Sequence, residues 1–215
     1  MKITEKNIVK AEIPLNRIEA LTDGIFAIAM TLLVLGIDLP EKNQSLSGLA
    51  LHEVLLKQIN QFLTFVLSFI ILASFWIMGH QQNVHFKRTD KLHLWINILI
   101  LLFVCLVPYS SSLVNDFSSD WMANLFFNSN MFTVALLYRF NWIYAIKNNR
   151  LVDKDADSSE FITGSRISMA FLIISVLAVV LSVIIPYYSS LPYLLLIVIL
   201  NRKRFSGKIK KTRVI

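Results

Sequence analysis

The chain has 215 residues, of which 55% are hydrophobic and only 16% are charged, and its mean hydropathy is +0.60. The apolar residues stand in long blocks, which is typical of a polytopic membrane protein and excludes a soluble globular domain. The formal net charge is +7. Because the basic residues lie between the apolar blocks, this charge indicates membrane topology and not nucleic-acid binding.

Six membrane-spanning helices are predicted in a single transmembrane domain over residues 1–215. A spanning helix needs about 20 mostly apolar residues. Five stretches meet this requirement, at 18–39, 55–79, 92–114, 121–146 and 164–185. The last apolar run continues to residue 200 and is too long for one crossing. The segment 186–192 contains two prolines and predicts a reversal into a short sixth helix over 187–200.

The basic residues predict the orientation of these helices. Six crossings place both termini, the second connection and the fourth connection on the same side of the membrane. Those four segments hold 18 of the 21 Lys and Arg residues. Basic residues accumulate in cytoplasmic loops, so we expect both termini in the cytoplasm and the protein in the cell membrane as a multi-pass protein.

Asp23 lies where the first predicted helix enters the membrane. A charge inside a bilayer helix costs about 2.5–3.5 kcal/mol on insertion scales and is retained when it faces protein or water. Arg17 lies six positions earlier on a different face, so each charge needs a partner from another helix. Trp76 and His80 are one turn apart in the second helix and offer N–H donors to a carboxylate. Trp76 is equally consistent with an ordinary interfacial tryptophan.

An aliphatic stripe with one hydroxyl follows Asp23 along the first helix. It consists of Ile28, Thr31, Leu32 and Leu35. Their helical spacing places them on one face near the membrane centre. Such a stripe forms stacked rings if several copies of the helix surround an axis, and a hydrophobic constriction of this kind gates by dewetting. Periodicity alone favours ordinary helix packing, since nearly any membrane helix has such a stripe.

Two sequence patterns carry a family resemblance. They are Arg17-x-x-x-Leu21-Thr22-Asp23 followed by Ala-Ile-x-x-Thr-Leu-Leu, and Phe75-Trp76 with His80. Together they resemble the signature of the transmembrane-protein-175 family of potassium channels, in its six-helix, single-repeat prokaryotic form. Leu21 stands where the family usually has an aromatic residue.

The resemblance implies a homotetramer in the lipid bilayer whose first helices line a central pore for K⁺. By position, the implied constricting residues are Ile28, Leu32 and Leu35, and Thr31 matches a threonine layer linked to potassium preference. A buried polar network that supports the pore helix is implied at Arg17, Thr22, Asp23, Trp76 and His80. The expected function is passive and modestly selective potassium conduction, with no enzymatic activity, no cofactor and no resident metal.

The sequence lacks a Thr-Val-Gly-Tyr-Gly filter, a glycine-rich phosphate loop and an Arg-rich helix, which argues against an ordinary potassium channel, a nucleotide-driven pump and a voltage sensor. The alternative hypothesis is a proton-coupled secondary transporter that titrates Asp23 and His80. A membrane scaffold without transport is a third. Asn97, Asn124 and Asn128 are expected to hydrogen-bond between helices, and His52, His85 and His93 are expected in solvated loops.

Overall fold

The computed structural model describes residues 15–38, 52–53, 55–56, 58–153 and 158–201. Its main elements over these ranges are seven α-helices: α1 Leu15–Leu32, α2 Ile59–Asn83, α3 Lys91–Cys105, α4 Val107–Asp116, α5 Trp121–Ile146, α6 Ser158–Ile184 and α7 Leu194–Asn201. Short 3₁₀ turns occupy Leu33–Gly36, Lys147–Asn149, Pro186–Tyr188 and Leu191–Tyr193. The all-α class is confirmed for this part of the chain.

The helices form six passes through the bundle. Four are long and apolar enough to cross a membrane: Leu15–Gly36, Ile59–Asn83, Lys91–Asp116 and Phe161–Ile184. The pass made by α5 has 26 residues. The final pass, Pro186–Leu200, is shorter, as the sequence predicted. Successive passes alternate in direction, so α1 begins beside the loop that holds Asp90, which we call the Asp90 end, and finishes at the opposite Asp38 end.

The third predicted helix, 92–114, is not continuous. It breaks at Leu106 into α3 and α4. Pro108 lies in the first turn of α4, and its missing N–H removes a hydrogen bond that an unbroken helix would make to the carbonyl one turn earlier. The two pieces together form an apolar span, Lys91–Asp116, that is long enough to cross a membrane and contains the predicted span 92–114.

The core lies where α2, α5 and α6 meet. Phe75 is fully buried and packs edge-on against Phe171 with ring centroids 5.0 Å apart. The pairing of α5 with α6 is the most extensive in the structure. Gly164 permits this pairing, because a Cβ there would lie 2.4 Å from the ring of buried Trp142.

A buried polar cluster fixes the reversal between α6 and α7. Asn128 donates through Nδ2 to Ser182 Oγ at 2.7 Å and to Ser189 Oγ at 3.0 Å. The hydroxyl of Ser189 in turn donates to Asn124 Oδ1 at 3.3 Å. The interhelical role predicted for Asn128 is thus confirmed, whereas Asn124 bonds the reversal segment through Ser189. Asn97 differs, because its amide donates to the carbonyl of His93 within its own helix.

The loops at the Asp90 end are joined by hydrogen bonds and stacking. Asp90 caps α3 by accepting from the backbone N–H of His93, and it also accepts from the Tyr144 hydroxyl. Burial raises the pKa of Asp90, but these two hydrogen bonds and the charges of His93 and Arg150 outweigh it and hold the pKa below its ordinary value.

The prediction that His93 is solvated was wrong. Its side chain is fully buried, bonded through Nδ1 to Thr89 Oγ1 and packed on the ring of Phe86. The first turn of α3 is drawn into the bundle by the contact between its Asp90 cap and α5, so a histidine next to a loop in sequence becomes part of the interior.

Candidate pore helix and its polar contacts

Helix α1 has one buried face and one exposed face. Ile18, Phe26, Ala29 and Leu33 are buried against the other helices. Only 22% of the apolar window of this span is buried, against 39% for each of the other three long apolar spans. Helix α1 is therefore the least covered of these four spans within a single subunit.

The predicted constricting residues lie on the exposed face. Ile28, Leu32 and Leu35 are 58%, 42% and 76% exposed. Thr31 is exposed between them, and its hydroxyl donates to the carbonyl of Ile28 at 2.8 Å. Among the described residues, a continuous apolar stripe with one hydroxyl layer is thus left exposed.

The Asp38 end of this helix is held close to α4. At Leu33 the α-helix tightens into a 3₁₀ turn that ends at Gly36. Asn115 donates through Nδ2 to the carbonyl of Gly36 at 2.9 Å. A Cβ on Gly36 would lie 2.7 Å from Ser112 Oγ, so this close approach depends on glycine.

The same end is also attached to α2 through Asp38. Gln61 donates through Nε2 to Asp38 Oδ2 at 2.8 Å, and its Oε1 accepts from the Asp38 backbone N–H at 3.3 Å. Gln58 donates to the Asp38 carbonyl at 2.6 Å. No sequence motif includes Asp38. The only signal is a pair of glutamines, Gln58 and Gln61, about one helical turn apart near the start of the second helix.

Nearer the Asp90 end, at the ninth of the 18 residues of α1, Asp23 meets α2. Trp76 donates through Nε1 to Asp23 Oδ1 at 2.8 Å. The ring of His80 stacks on that of Trp76, with centroids 5.9 Å apart. These three side chains form a row in which the indole is the link. Asp23 and His80 remain exposed in the single subunit.

Arg17 and Thr22 do not join this row within the subunit. The hydroxyl of Thr22 donates to the Ile18 carbonyl at 2.9 Å, one turn back in its own helix. Arg17 is exposed, and no hydrogen bond or ion pair joins its guanidinium to another residue in the ranges described. Five side chains were predicted to form a polar network. Three of them, Asp23, Trp76 and His80, contact one another in a row within one subunit.

The described residues contain no group of three or more His, Cys, Asp or Glu positioned to hold a metal ion. Asp23 and the segment from Gly36 to Asp38 instead contact neighbouring helices through hydrogen bonds. Chemically, this arrangement holds α1 at two places and leaves an exposed apolar face between them.

Comparison with known proteins gives consistent matches. A family model described as the endosomal/lysosomal potassium channel TMEM175 matches residues 17–108, a range that contains every predicted site residue. A potassium channel of Streptomyces collinus is 29% identical over 146 residues, which cover 66% of this chain and 69% of that protein. A potassium channel of Chamaesiphon minutus is 31% identical over 147 residues, covering 67% of this chain and 72% of that protein.

A solved structure shows the same fold. The crystal structure of a lysosomal potassium-selective channel TMEM175 homolog from Chamaesiphon minutus superposes with a TM-score of 0.74 at 25% sequence identity. The match covers 86% of this chain and 95% of that chain. It therefore extends well beyond the segment that carries the sequence motifs.

Proposed function

Because the chain belongs to the TMEM175 family of potassium channels, we propose that it forms a homotetramer that conducts K⁺ passively through a central pore lined by α1. The observation that carries this proposal is the exposed stripe of Ile28, Leu32 and Leu35 on the least covered of the long apolar spans. Helix α1 is held at Asp23 and at Asp38, and the apolar face between these two places is exposed. In a tetramer, that face lies toward the pore axis and the neighbouring subunits.

Two charged residues in the half of α1 toward the Asp90 end favour the pore axis over lipid as the neighbour of its exposed face. Arg17 and Asp23 are both exposed on α1, and a charge facing hydrocarbon costs several kcal/mol. An environment of water and adjoining subunits removes that cost. A neighbouring subunit also offers a partner for Arg17, whose guanidinium has none within the described residues of its own chain.

Four copies of α1 around an axis convert the stripe into stacked rings. Side chains at i, i+4 and i+7 recur on one face of a helix, so Ile28, Leu32 and Leu35 form three apolar layers. Thr31 adds a ring of hydroxyls between the first two. Narrow apolar layers control conduction by dewetting, and the weakly polar threonine layer supports a modest preference for potassium over sodium.

The row formed by Asp23, Trp76 and His80 serves in this proposal as a support for the pore helix. The indole hydrogen bond fixes the rotation of α1 about its axis near Asp23, and the His80 ring stacks against the indole. Helix rotation decides which side chains reach the axis. The row therefore acts on conduction through the position of the constricting residues.

Orientation follows from the positive-inside rule. The basic residues concentrate in the termini and in the second and fourth connections, which hold 18 of the 21 Lys and Arg residues. This places the Asp90 end in the cytoplasm and the Asp38 end outside. The proposed location is the cell membrane of a prokaryote.

Potassium flux in liposomes tests the constriction directly. Purified protein is expected to dissipate a potassium gradient, and Ile28→Ser is expected to raise the flux because it shortens and hydrates an apolar ring. Ile173→Ser is a matched control, since Ile173 lies on α6 and is 59% exposed against 58% for Ile28. Wild-type flux no greater than that of empty liposomes would refute the proposal.

The oligomeric state in detergent separates the channel from the transporter hypothesis. Four subunits are expected by light scattering of the solubilised protein. A monomer or dimer, together with saturable uptake that disappears in Asp23→Asn while the protein stays folded, would instead favour a carrier that titrates Asp23 and His80.

A further inference from the structure

Asp38 follows the exposed stripe of α1 at the Asp38 end. It lies three residues beyond Leu35 and two beyond the 3₁₀ turn Leu33–Gly36, and its side chain is exposed. In a pore lined by α1, the chain segment that follows Leu35 surrounds the mouth. Asp38 therefore places a carboxylate at the entrance to the narrowest part of the pore.

The groups that hold Asp38 are all uncharged. Gln61 contacts both its carboxylate and its backbone N–H, and Gln58 contacts its carbonyl. An amide clamp restricts the carboxylate without cancelling its charge, whereas a lysine or arginine in the same place would neutralise it. Within the described ranges, no ion pair involves Asp38. Among the described residues, the Asp38 carboxylate is therefore held by hydrogen bonds and has no cationic partner.

The backbone adds to this charge. The C-terminus of a helix carries a partial negative charge, so an acidic side chain there is unfavourable for stability. Asp38 occupies such a position at the end of α1 and its 3₁₀ extension. The carboxylate and the helix end therefore add to one negative potential, and the two glutamines hold that potential in place.

We propose that Asp38 and its copies in the other three subunits form a ring of fixed negative charge that concentrates monovalent cations at this mouth. The inference rests on the proposed channel function. Charges around a narrow entrance raise the local counter-ion concentration and the rate of entry. Gln58 and Gln61 act as positioning residues that keep the carboxylate close to the ion path.

Single-channel conductance measured against potassium concentration tests the ring. Asp38→Asn keeps the shape of the side chain and is expected to lower the conductance about threefold at roughly 0.05 M K⁺. At about 1 M salt the screening length falls to about 3 Å, so mutant and wild type are expected to conduct equally. Asp153→Asn, which removes an exposed carboxylate at the opposite end, is expected to leave cation entry from the Asp38 end unchanged.

Two further variants keep the test decisive. Asp38→Glu retains the charge and is expected to retain the low-salt conductance. Gln61→Leu keeps the Asp38 carboxylate but removes the two hydrogen bonds that hold it. The low-salt conductance of this variant is therefore expected to lie between those of wild type and Asp38→Asn. A loss in Asp38→Asn that is equal at all salt concentrations, or no loss at all, would overturn the ring while the channel function stands. A wild-type protein that carries no current would instead refute the channel itself.

Discussion

The hydrogen bond between Trp76 and Asp23 should contribute measurably to the position of α1. The donor and acceptor are 2.8 Å apart, and a hydrogen bond to a charged group contributes about 1.5–3 kcal/mol to stability. Asp23 is exposed within one subunit, where water competes for it, so the lower value of about 1.5 kcal/mol is expected. Trp76→Phe removes the donor and keeps an aromatic ring at the same place.

A double-mutant cycle isolates this hydrogen bond from the loss of ring size. The free energy of unfolding in detergent is measured for Trp76→Phe, Asp23→Ala and the double variant, and the coupling energy is expected to be about 1.5 kcal/mol. Trp95, which is exposed on α3, provides the control, and the cycle of Trp95→Phe with Asp23→Ala should give almost no coupling. Equal coupling in the two cycles would refute the argument that the indole anchors α1. If the anchor sets helix rotation, potassium flux should also change in Trp76→Phe and not in Trp95→Phe.

Two other substitutions test the packing and electrostatics around the helices. Gly164→Ala places a Cβ 2.4 Å from the ring of Trp142, so overpacking should lower the free energy of unfolding by about 1–3 kcal/mol; Gly24→Ala meets nothing within 4 Å, and an equal loss there would contradict the packing argument. Asp90→Asn should lower the melting temperature at pH 7, because the pKa of Asp90 lies below the ordinary 3.8 and its charge stabilises the folded state at neutral pH. That stabilisation is lost as the pH falls through the folded-state pKa, so the gap to wild type should close below about pH 4, and a gap that persists would exclude the charge as its cause.

The polar residues show where sequence patterns reach their limit. The spacing of Trp76 and His80 identified donors near the correct end of α2, because helical periodicity and membrane depth can be counted along the chain. That the indole reaches Asp23 depends on the packing of α1 against α2. Thr22 belongs to the same sequence motif as Asp23, yet its hydroxyl donates to a carbonyl of its own helix. This hydrogen bond is available to any threonine in a helix.

The loops carried the weakest signals. His93 was expected in solvent because it follows a charged segment, but the Asp90 cap and the contact with Tyr144 draw it into the bundle. Asp38 lies inside the first predicted span, 18–39, and no sequence pattern marks it. Its clamp comes from residues 20 and 23 positions away, beyond the reach of any local pattern.

The sequence by itself determined the number and type of membrane passes, the side on which the basic residues gather, and the stripe on the first helix. These properties depend on the cost of placing polar groups in hydrocarbon and on the period of the α-helix, and both act locally along the chain. Only the tertiary structure decided that α1 is less buried than the other three long apolar spans, and that Trp76 and Gln61 hold it at Asp23 and at Asp38. Those outcomes depend on which surfaces meet when the helices pack, and that is a property of the whole bundle.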